Sequence, residues 1–441
     1  MLLVADRIDQ IVAPSAIDTA VAKLDAWLDT MRGGDGYGGP VAHWWQQSLI
    51  HTGAGLDWRY EGIIEGYLEL WQRTDDPHWL QKAQRAGDDL RRGQLPSGHF
   101  AASCFEINPA TAGTPHEAAC DVGLLLLARA LRAHDDPAWR AYADCAERNL
   151  RSFYVDQLWD EPARSFRDDP RVPSFVPNKA ATACDALFLL AELSGNAEWI
   201  ARYALPTLDR IVEHQVRSGA LDGAIAQNSF GTRIIDKYFP IYIARCVPAL
   251  VSGTRWTSDV RYADAALRAM RFVARWINVD GTLPTVIYAN GRVNRYPCWI
   301  APLGDVLRAA DLVRPLGFDA DLGAMQRWLL SWQDDTGAIQ TARGFGAQAG
   351  GRLATTPDVR DVMHVVGWCD KAFRYLAAQV GSHVPAAEIE RFEIDCTFGK
   401  RSLRLIETAE KIEIRERADV RYRWIKGQPW PEIAAPEFWL R

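Results

Sequence analysis

The sequence predicts a mainly α-helical protein in which six helical hairpins close into an (α/α)6 toroid, followed by a small antiparallel β appendage. Two observations predict the toroid and a third predicts the appendage. A pattern of polar and aromatic residues, then an apolar run, then a helix-start signal recurs about every 60 residues, and self-similarity at a fixed period indicates a repeat architecture. Glycine-containing turns separate the copies, and after residue 384 the pattern changes to an alternation of apolar and polar residues. The copies open at Asp57, His116 and Lys179, with weaker ones at Asp236, Tyr296 and Val359.

Each copy predicts an inner helix and the start of an outer helix. In the first copy the apolar run 63–71 predicts the inner helix, and Asp75-Asp76-Pro77 predicts the start of the next one. An aspartate can accept hydrogen bonds from the free N–H groups of a first helical turn, and proline suits the first helical position because its missing N–H would be unpaired there. We therefore expect Asp75-Asp76 and Asp135-Asp136 to be helix caps without a chemical role.

Six units of this kind predict a closed ring. One helical hairpin cannot bury both of its faces, whereas hairpins packed side by side can. The inner helices should be apolar and rich in alanine, and the outer helices should carry the charges. The predicted outer helices span 16–32, 75–92, 137–154, 197–217, 258–277 and 319–333, and the inner helices open near 57, 116, 178, 236, 297 and 359.

The last part of the chain predicts strands. Segments 392–396, 402–406, 411–415 and 420–424 alternate apolar and polar residues, which is the period of a half-buried strand. We therefore divide the chain into a toroid domain, 1–384, and a small β appendage with its tail, 385–441.

Composition limits the function classes. The chain has 441 residues, of which 48% are hydrophobic and 24% are charged, and its net charge of -6 gives no basic footprint for nucleic acid. The eight cysteines have no metal-binding spacing, so we expect reduced, buried thiols and no metal site. No segment approaches the ~20 apolar residues that span a membrane, and the first residues do not resemble a signal peptide. We therefore expect no membrane span and a cytoplasmic location.

The six hairpins, the Asp-Asp-Pro-x-Trp helix starts and the glycine turns resemble the six-hairpin glycosidase superfamily over about residues 16–380. Relatives within that superfamily are the unsaturated glucuronyl and rhamnogalacturonyl hydrolases, the toroidal polysaccharide lyases and the N-acylglucosamine 2-epimerases. The resemblance implies an active site in a funnel at the N-terminal ends of the inner helices. A fold that supports many chemistries does not fix the reaction.

If the funnel lies there, the residues that open the inner helices form its rim. The candidate catalytic residues are Asp57, His116, Glu117 and Asp236. Carboxyl groups can protonate a leaving oxygen or activate water, and a histidine can move a proton. Asp57 could equally be a helix cap.

Aromatic and cationic residues of the same rim are the candidate substrate-binding residues, because aromatic faces hold sugar rings and cations hold a uronate carboxylate. Trp44 and Trp45 could instead form a hydrophobic plug, Asp236 and Lys237 a local ion pair, and His364 a core histidine. The candidates are Trp44, Trp45, Trp58, Arg59, Tyr60, Lys179, Lys237, Tyr238, Trp299, Arg360 and His364.

The predicted function is cleavage of a glycosidic bond in an acidic, uronic-acid-containing oligosaccharide by carboxylate acid/base catalysis, with no cofactor. One alternative is a polysaccharide lyase or sugar epimerase that uses histidine with tyrosine or lysine. The other is a toroid that binds a glycan or a protein without catalysis. Two facing carboxylates about 5–10 Å apart would favour the hydrolase. The sugar, its linkage and the oligomeric state are left open.

Overall fold

The computed structural model describes residues 14–42, 49–101, 116–347 and 351–434. Its α-helices are α1 (Pro14–Thr30), α2 (Arg59–Thr74), α3 (Pro77–Gly93), α4 (Glu117–Ala133), α5 (Trp139–Asn149), α6 (Pro177–Ser194), α7 (Leu205–Glu213), α8 (Pro240–Thr257), α9 (Val260–Arg275), α10 (Leu303–Val313), α11 (Gly323–Leu330), α12 (Val359–Val362) and α13 (Val366–Ala377). A π-helical stretch, Leu150–Leu158, follows α5, and another, Trp199–Ala204, precedes α7.

The helices form the predicted toroid. Helices α2, α4, α6, α8, α10 and α13 contact one another in that order, and α13 closes the ring against α2. Each inner helix also packs against an outer helix. Helix α1 packs against α13, so the first described helix completes the last hairpin. The fold-class prediction is thus confirmed.

Small residues allow the inner helices to approach one another closely. A Cβ atom on Gly62 of α2 would lie 2.4 Å from Oδ2 of Asp370 in α13, and one on Gly304 of α10 would lie 2.1 Å from the carbonyl oxygen of Lys371. Real Cβ atoms do not tolerate such contacts, because protein interiors are close-packed. Glycine at these two positions therefore lets the ring close around a narrow axis.

Short strands connect the hairpins, and a larger sheet follows them. The short strands are β1 (Arg32–Gly33), β2 (Gly36–Tyr37), β3 (Pro40–Val41), β4 (Ile50–His51), β5 (Trp159–Asp160), β6 (Ser165–Phe166), β7 (Ser174–Phe175), β8 (Asn228–Phe230), β9 (Arg233–Ile235), β10 (Lys237–Tyr238), β11 (Val286–Tyr288), β12 (Val293–Asn294), β13 (Cys298–Trp299) and β14 (Ala342–Arg343). The C-terminal sheet contains β15 (Phe392–Phe398), β16 (Arg401–Glu407), β17 (Lys411–Glu416), β18 (Asp419–Ile425) and β19 (Glu432–Ile433), antiparallel and in chain order. Its first four strands are those that the alternation predicts.

A buried charged cluster joins the C-terminal sheet to the toroid. Glu407 of β16 accepts a hydrogen bond from Nε1 of Trp27 in α1 at 2.7 Å and one from Nζ of Lys426 at 2.7 Å. Its other carboxylate oxygen lies 2.5 Å from Nδ1 of His364, whose Nε2 lies 2.5 Å from Asp334. We call Trp27, Asp334, His364, Glu407 and Lys426 the junction cluster.

Several predicted helix boundaries are wrong, and proline explains two of them. The fourth inner helix begins at Pro240 and the fifth directly after Pro302, rather than near 236 and 297. Proline is favoured in a first helical turn and disfavours helix in the residue before it. Residues 237–238 and 298–299 form strands instead. The last inner helix is interrupted at 363–365, so His364 lies between α12 and α13 rather than inside a helix.

Cysteine burial agrees with the expectation of reduced thiols. The seven described cysteines are all free and buried. Burial raises the pKa of each of these thiols, which keeps them protonated and poorly nucleophilic.

No helix in the described ranges is long and apolar enough to cross a bilayer.

Candidate active site

A cavity of about 450 Å³ opens at one end of the ring axis. Its wall comes mainly from the first turns of the inner helices and from the residues just before them. Because the first turns of all these helices meet at the same end of the toroid, this cavity is the funnel that the resemblance implied. We call it the front cavity. The residues used below are Trp58, Glu61, His116, Asp168, Lys179, Lys237, Tyr242, Arg245, Asp305, Trp368 and Lys371.

One wall is aromatic and holds a histidine. The indole Nε1 of Trp58 donates a hydrogen bond to the carbonyl oxygen of Gly367 at 2.6 Å, which fixes the ring. The imidazole of His116 lies against it, with ring centroids 5.0 Å apart. The ring centroid of Trp368 lies 6.4 Å from that of Trp58, and Nε1 of Trp368 donates a hydrogen bond to the carbonyl oxygen of Ala42 at 2.8 Å. His116 is therefore positioned by a packed aromatic wall.

Three lysines also line the front cavity. Nζ of Lys179 lies 2.9 Å from the carboxylate of Asp168, and Nζ of Lys371 lies 2.8 Å from that of Asp370. Lys237 extends from β10, and burial lowers the pKa of its amine. Within the described ranges Lys237 forms no ion pair with a carboxylate, so its charge is available to a bound anion.

The floor of the front cavity is a network of buried ion pairs. Glu61 is 3% exposed, and its carboxylate forms ion pairs with the guanidinium groups of Arg245 at 2.8 Å and Arg374 at 2.9 Å. Arg245 also pairs with Asp185 at 2.9 Å, and Arg374 pairs with Asp305 at 2.5 Å. Two arginines and three carboxylates thus neutralise most of one another across the ring axis.

This network sets the protonation of the cavity carboxylates. Burial alone would raise the pKa of Glu61, but Arg245 and Arg374 outweigh burial and lower it to about 2. Burial would likewise raise the pKa of Asp305, and Arg374 with other cations lowers it. Burial dominates at Asp185 and raises its pKa to about 6. Glu61 and Asp305 are therefore fixed anions at neutral pH and poor proton donors.

Of the predicted catalytic carboxylates, Asp57 lies outside the front cavity. It is fully buried, and its two oxygens accept hydrogen bonds from Nε and Nη2 of Arg59 at 2.8 and 3.0 Å. Arg59 also donates to the carbonyl oxygen of Tyr37 and to Thr52. Asp57 and Arg59 therefore anchor the start of α2, and neither is placed to touch a substrate in the cavity.

Glu117 and Asp236 also lie outside the front cavity. Glu117 is fully buried against α5, where it accepts a hydrogen bond from Asn149 at 2.5 Å and lies 3.1 Å from Nδ1 of His99. Successive residues of a helix point about 100° apart, so His116 reaches the cavity while Glu117 does not. Asp236 is exposed and lies beside Tyr238, where it adds to the effect of burial in raising the pKa of the phenol.

The predicted binding residues divide in the same way. Trp58, Lys179 and Lys237 line the front cavity, whereas Trp44 and Trp45 lie outside the described residues. The others have structural contacts elsewhere: Arg59 with Asp57, Tyr60 with Asp89 at 3.4 Å, Tyr238 with Phe272, Trp299 with Trp368 and Phe345, Arg360 with Asp358 at 2.7 Å, and His364 in the junction cluster.

Sequence reasoning missed several cavity residues. Arg245, Asp305 and Lys371 are charged residues in the largely buried inner helices, and a charge in a buried helix is a signal that could have found them. Asp168 lies in a loop between short strands and carries no comparable signal. Among the residues that the structure describes, no three histidine, cysteine, aspartate or glutamate side chains are grouped as metal ligands.

Comparison with known proteins gives structural similarity alone. No protein-family model matches the chain, and no curated protein matches it. The chain is similar in structure to cellobiose 2-epimerase from Bacillus thermoamylovorans, with a TM-score of 0.62, 11% identity, and 83% of this chain and 100% of that one covered. It is also similar to unsaturated glucuronyl hydrolase from Bacillus sp. GL1, with a TM-score of 0.58, 14% identity and coverage of 82% and 95%.

A third similar structure is that of D-mannose isomerase, with a TM-score of 0.59, 13% identity, and 83% of this chain and 97% of that one covered. At such low identity the similarity establishes the fold and not the reaction. The names of the three neighbours describe three different reactions. The chain thus has an (α/α)6 toroid fold, like these three structures.

Proposed function

We propose that the protein is a carbohydrate-active enzyme that binds an anionic sugar in the front cavity and moves a proton through His116. The observation that carries this proposal is the contact between His116 and Trp58 in a cavity that Lys237 also lines. These groups supply a proton acceptor, a surface for a sugar ring and a cation. The similar structures, named for enzymes that act on sugars, support the same substrate class.

The aromatic wall suits a pyranose ring. One face of a pyranose presents C–H groups, which pack against an indole and lose contact with water at little cost. Trp58, Trp368 and Tyr242 give the front cavity such surfaces. Its volume of about 450 Å³ lies within the range of about 300–1,000 Å³ that is usual for small-molecule sites.

The charges of the lining favour an anion. Lys179, Lys237, Arg245 and Lys371 line the front cavity together with the carboxylates Glu61, Asp168 and Asp305. All three carboxylates already have a cationic partner. The charge of Lys237 is then the one that a substrate carboxylate would neutralise, and a charge-assisted hydrogen bond would hold it.

The protonation of these carboxylates favours proton transfer at carbon over hydrolysis. Glycoside hydrolysis requires a carboxylic acid that protonates the leaving oxygen and a second carboxylate opposite it. Glu61 and Asp305 are held ionised, and Asp57 and Glu117 lie outside the front cavity. His116 can instead take a proton from a sugar carbon next to a carbonyl or carboxyl group, while Lys237 stabilises the negative charge that develops. Return of a proton completes an epimerisation or isomerisation, and departure of the β-oxygen substituent with the electron pair completes an elimination. This is the chemistry of an epimerase, isomerase or lyase.

Hydrolysis is the second candidate, because Asp168 is a partly exposed carboxylate in the front cavity. Paired with Lys179, it could act as a base that activates water. It would need an acid partner, and the described cavity residues offer His116 in its protonated form.

Incubation with reducing and unsaturated uronate sugars in D2O, followed by NMR, tests the proposal. We expect deuterium at the carbon beside the carbonyl or carboxyl group, or a new carbon–carbon double bond there if the reaction is an elimination. His116→Gln should lose about 10²–10⁴-fold in rate, the contribution typical of a general base. His78→Gln, at an exposed helix start, is the control. Full activity of His116→Gln, or cleavage of a glycosidic bond with neither deuterium at carbon nor a new carbon–carbon double bond, would overturn the proposal.

A further inference from the structure

The toroid has a second cavity at the opposite end of its axis. It has a volume of about 200 Å³ and is lined by residues from the later turns of the inner helices, among them Arg129 of α4, Phe188 of α6 and Trp256 of α8. The front cavity is lined by the first turns of the same helices, so the two cavities face opposite sides of the ring. Glu61 contributes to both, and its ion pairs form the partition between them. We call the second one the rear cavity.

An aromatic surface lies at the mouth of the rear cavity. Trp256 is 46% exposed, although most tryptophans of the described chain are more buried. Its ring stacks with that of Phe188, with centroids 6.5 Å apart and an interplanar angle of 18°. Phe188 is 3% exposed, so it supports the indole from within the protein. A supported, solvent-facing indole on the edge of a concave, polar site is typical of a ligand-binding surface.

Most charged residues that line the rear cavity are paired with a residue of opposite charge, but Arg255 is not paired with any described residue. Arg129 lies 3.5 Å from Glu192, Asp185 pairs with Arg245, and Arg308 is held by Glu65. Arg255 is exposed beside Trp256 and has no carboxylate partner within the described ranges. The rear cavity therefore combines one aromatic face with one available guanidinium, a group that binds carboxylates through two parallel hydrogen bonds.

We propose that the rear cavity binds a single acidic pyranose, a uronate ring stacked on Trp256 with its carboxylate on Arg255. The ligand class rests on the proposed function of the front cavity, whereas the site itself rests on the contacts just described. A volume of about 200 Å³ is below the about 300–1,000 Å³ of most small-molecule pockets, which suits one ring better than a longer ligand. We assign this site a binding role and no reaction.

Fluorine NMR of the full chain labelled with 5-fluorotryptophan tests the two cavities separately. Trp58→Phe and Trp256→Phe serve only to assign the two resonances. Titration with sodium glucuronate should shift the Trp256 resonance in a saturable manner, and glucose at the same concentration should shift it less. Arg255→Gln should weaken binding at the Trp256 reporter at least about tenfold, because the charge-assisted hydrogen bonds to the carboxylate are lost, and leave the Trp58 titration unchanged. Arg233→Gln, at an exposed strand residue, is the matched control.

The outcomes separate this inference from the proposed function. A shift at Trp58 with none at Trp256 overturns the rear site and leaves the front one. A shift at Trp256 alone supports the rear site and contradicts anion binding in the front cavity. A Trp256 resonance that changes with protein concentration rather than with sugar assigns this face to self-association and overturns the inference. Equal titrations for Arg255→Gln and the control overturn the assignment of the carboxylate to Arg255.

Discussion

Glu407→Gln should destabilise the whole molecule, because Glu407 is the anion at the centre of the junction cluster. The substitution keeps the shape of the side chain and removes its charge. Lys426, whose side chain is 2% exposed, then loses its ion pair, and His364 keeps only Asp334. Removing one partner of a buried ion pair costs about 3–5 kcal/mol, since the other charge stays buried. That is a large part of the about 5–15 kcal/mol by which most domains are stable.

Urea unfolding followed by circular dichroism measures this loss. Glu393→Gln is the matched control, because Glu393 lies on the same sheet and pairs with Arg391 and Arg404 at the surface. Surface pairs contribute about 0–1 kcal/mol, so the control should shift the free energy of unfolding by no more than that. Equal shifts for the two variants would refute the view that the junction cluster ties the sheet to the toroid.

The pH dependence gives a second test of the same cluster. Burial alone would lower the pKa of His364, but Asp334 and Glu407 outweigh it and raise the pKa from 6.5 to about 10. The stabilisation from His364 is therefore complete below pH 6.5 and is lost as the pH rises towards 10. Burial would raise the pKa of Glu407, but Lys426 and His364 lower it below 4.5, so its contribution is lost as the pH falls below that value. The stability difference between wild type and Glu407→Gln should be largest between pH 4.5 and pH 6.5, and it should become smaller as the pH rises towards 10.

Three further predictions concern the site and one helix cap. Gly367→Ala should lower kcat, because the new Cβ would lie 2.5 Å from Nε1 of Trp58 and displace the aromatic wall; steady-state kinetics would show it. Lys237→Gln should raise KM for an anionic sugar about tenfold with a smaller change in kcat, because a charge-assisted hydrogen bond is lost; the same kinetics would measure it. Asp76→Ala should lower the free energy of unfolding by about 1 kcal/mol, because Asp76 accepts a hydrogen bond from the N–H of His78 at 2.9 Å; urea unfolding would measure it.

Each of these has a matched control. Gly34→Ala should leave kcat unchanged, because no atom lies within 4 Å of its added Cβ. Lys400→Gln and Asp319→Ala change exposed residues of the same types as Lys237 and Asp76. A kcat for Gly367→Ala equal to that of Gly34→Ala would argue against the positioning of His116 by Trp58. Equal KM values for Lys237→Gln and Lys400→Gln would contradict anion binding at Lys237. Coincident unfolding curves for Asp76→Ala and Asp319→Ala would contradict the helix cap at Asp76.

The fold could be predicted from the sequence because its signals are local and repeated. Asp76 is the N-cap of α3, where its side chain accepts a hydrogen bond from the N–H of His78. The side chain of Asp136 accepts one from the N–H of Ala138 in the turn directly before α5. The alternation after residue 384 predicted the strands for the same reason. Interruptions such as the one at His364 could not be predicted, because they depend on the packing of the C-terminal sheet against the ring.

The site was less predictable, because it depends on the directions of side chains. The sequence predicted His116 and Glu117 on the same funnel rim. In the structure the two side chains point in different directions, and Glu117 faces Asn149. The bidentate pairing of Asp57 with Arg59 likewise requires a local turn that periodicity does not encode. Residue type and spacing therefore found the end of the ring at which the front cavity lies, whereas three-dimensional contacts decided which side chains reach it.

A crystal structure with a bound uronate disaccharide would test the central claim most directly. We predict a sugar ring against Trp58, its carboxylate within hydrogen-bond distance of Nζ of Lys237, and a C–H carbon beside the carboxyl or carbonyl group facing His116. A sugar with no contact to Trp58, His116 or Lys237, or a glycosidic oxygen facing Asp168 while His116 stays free of contact, would contradict the account.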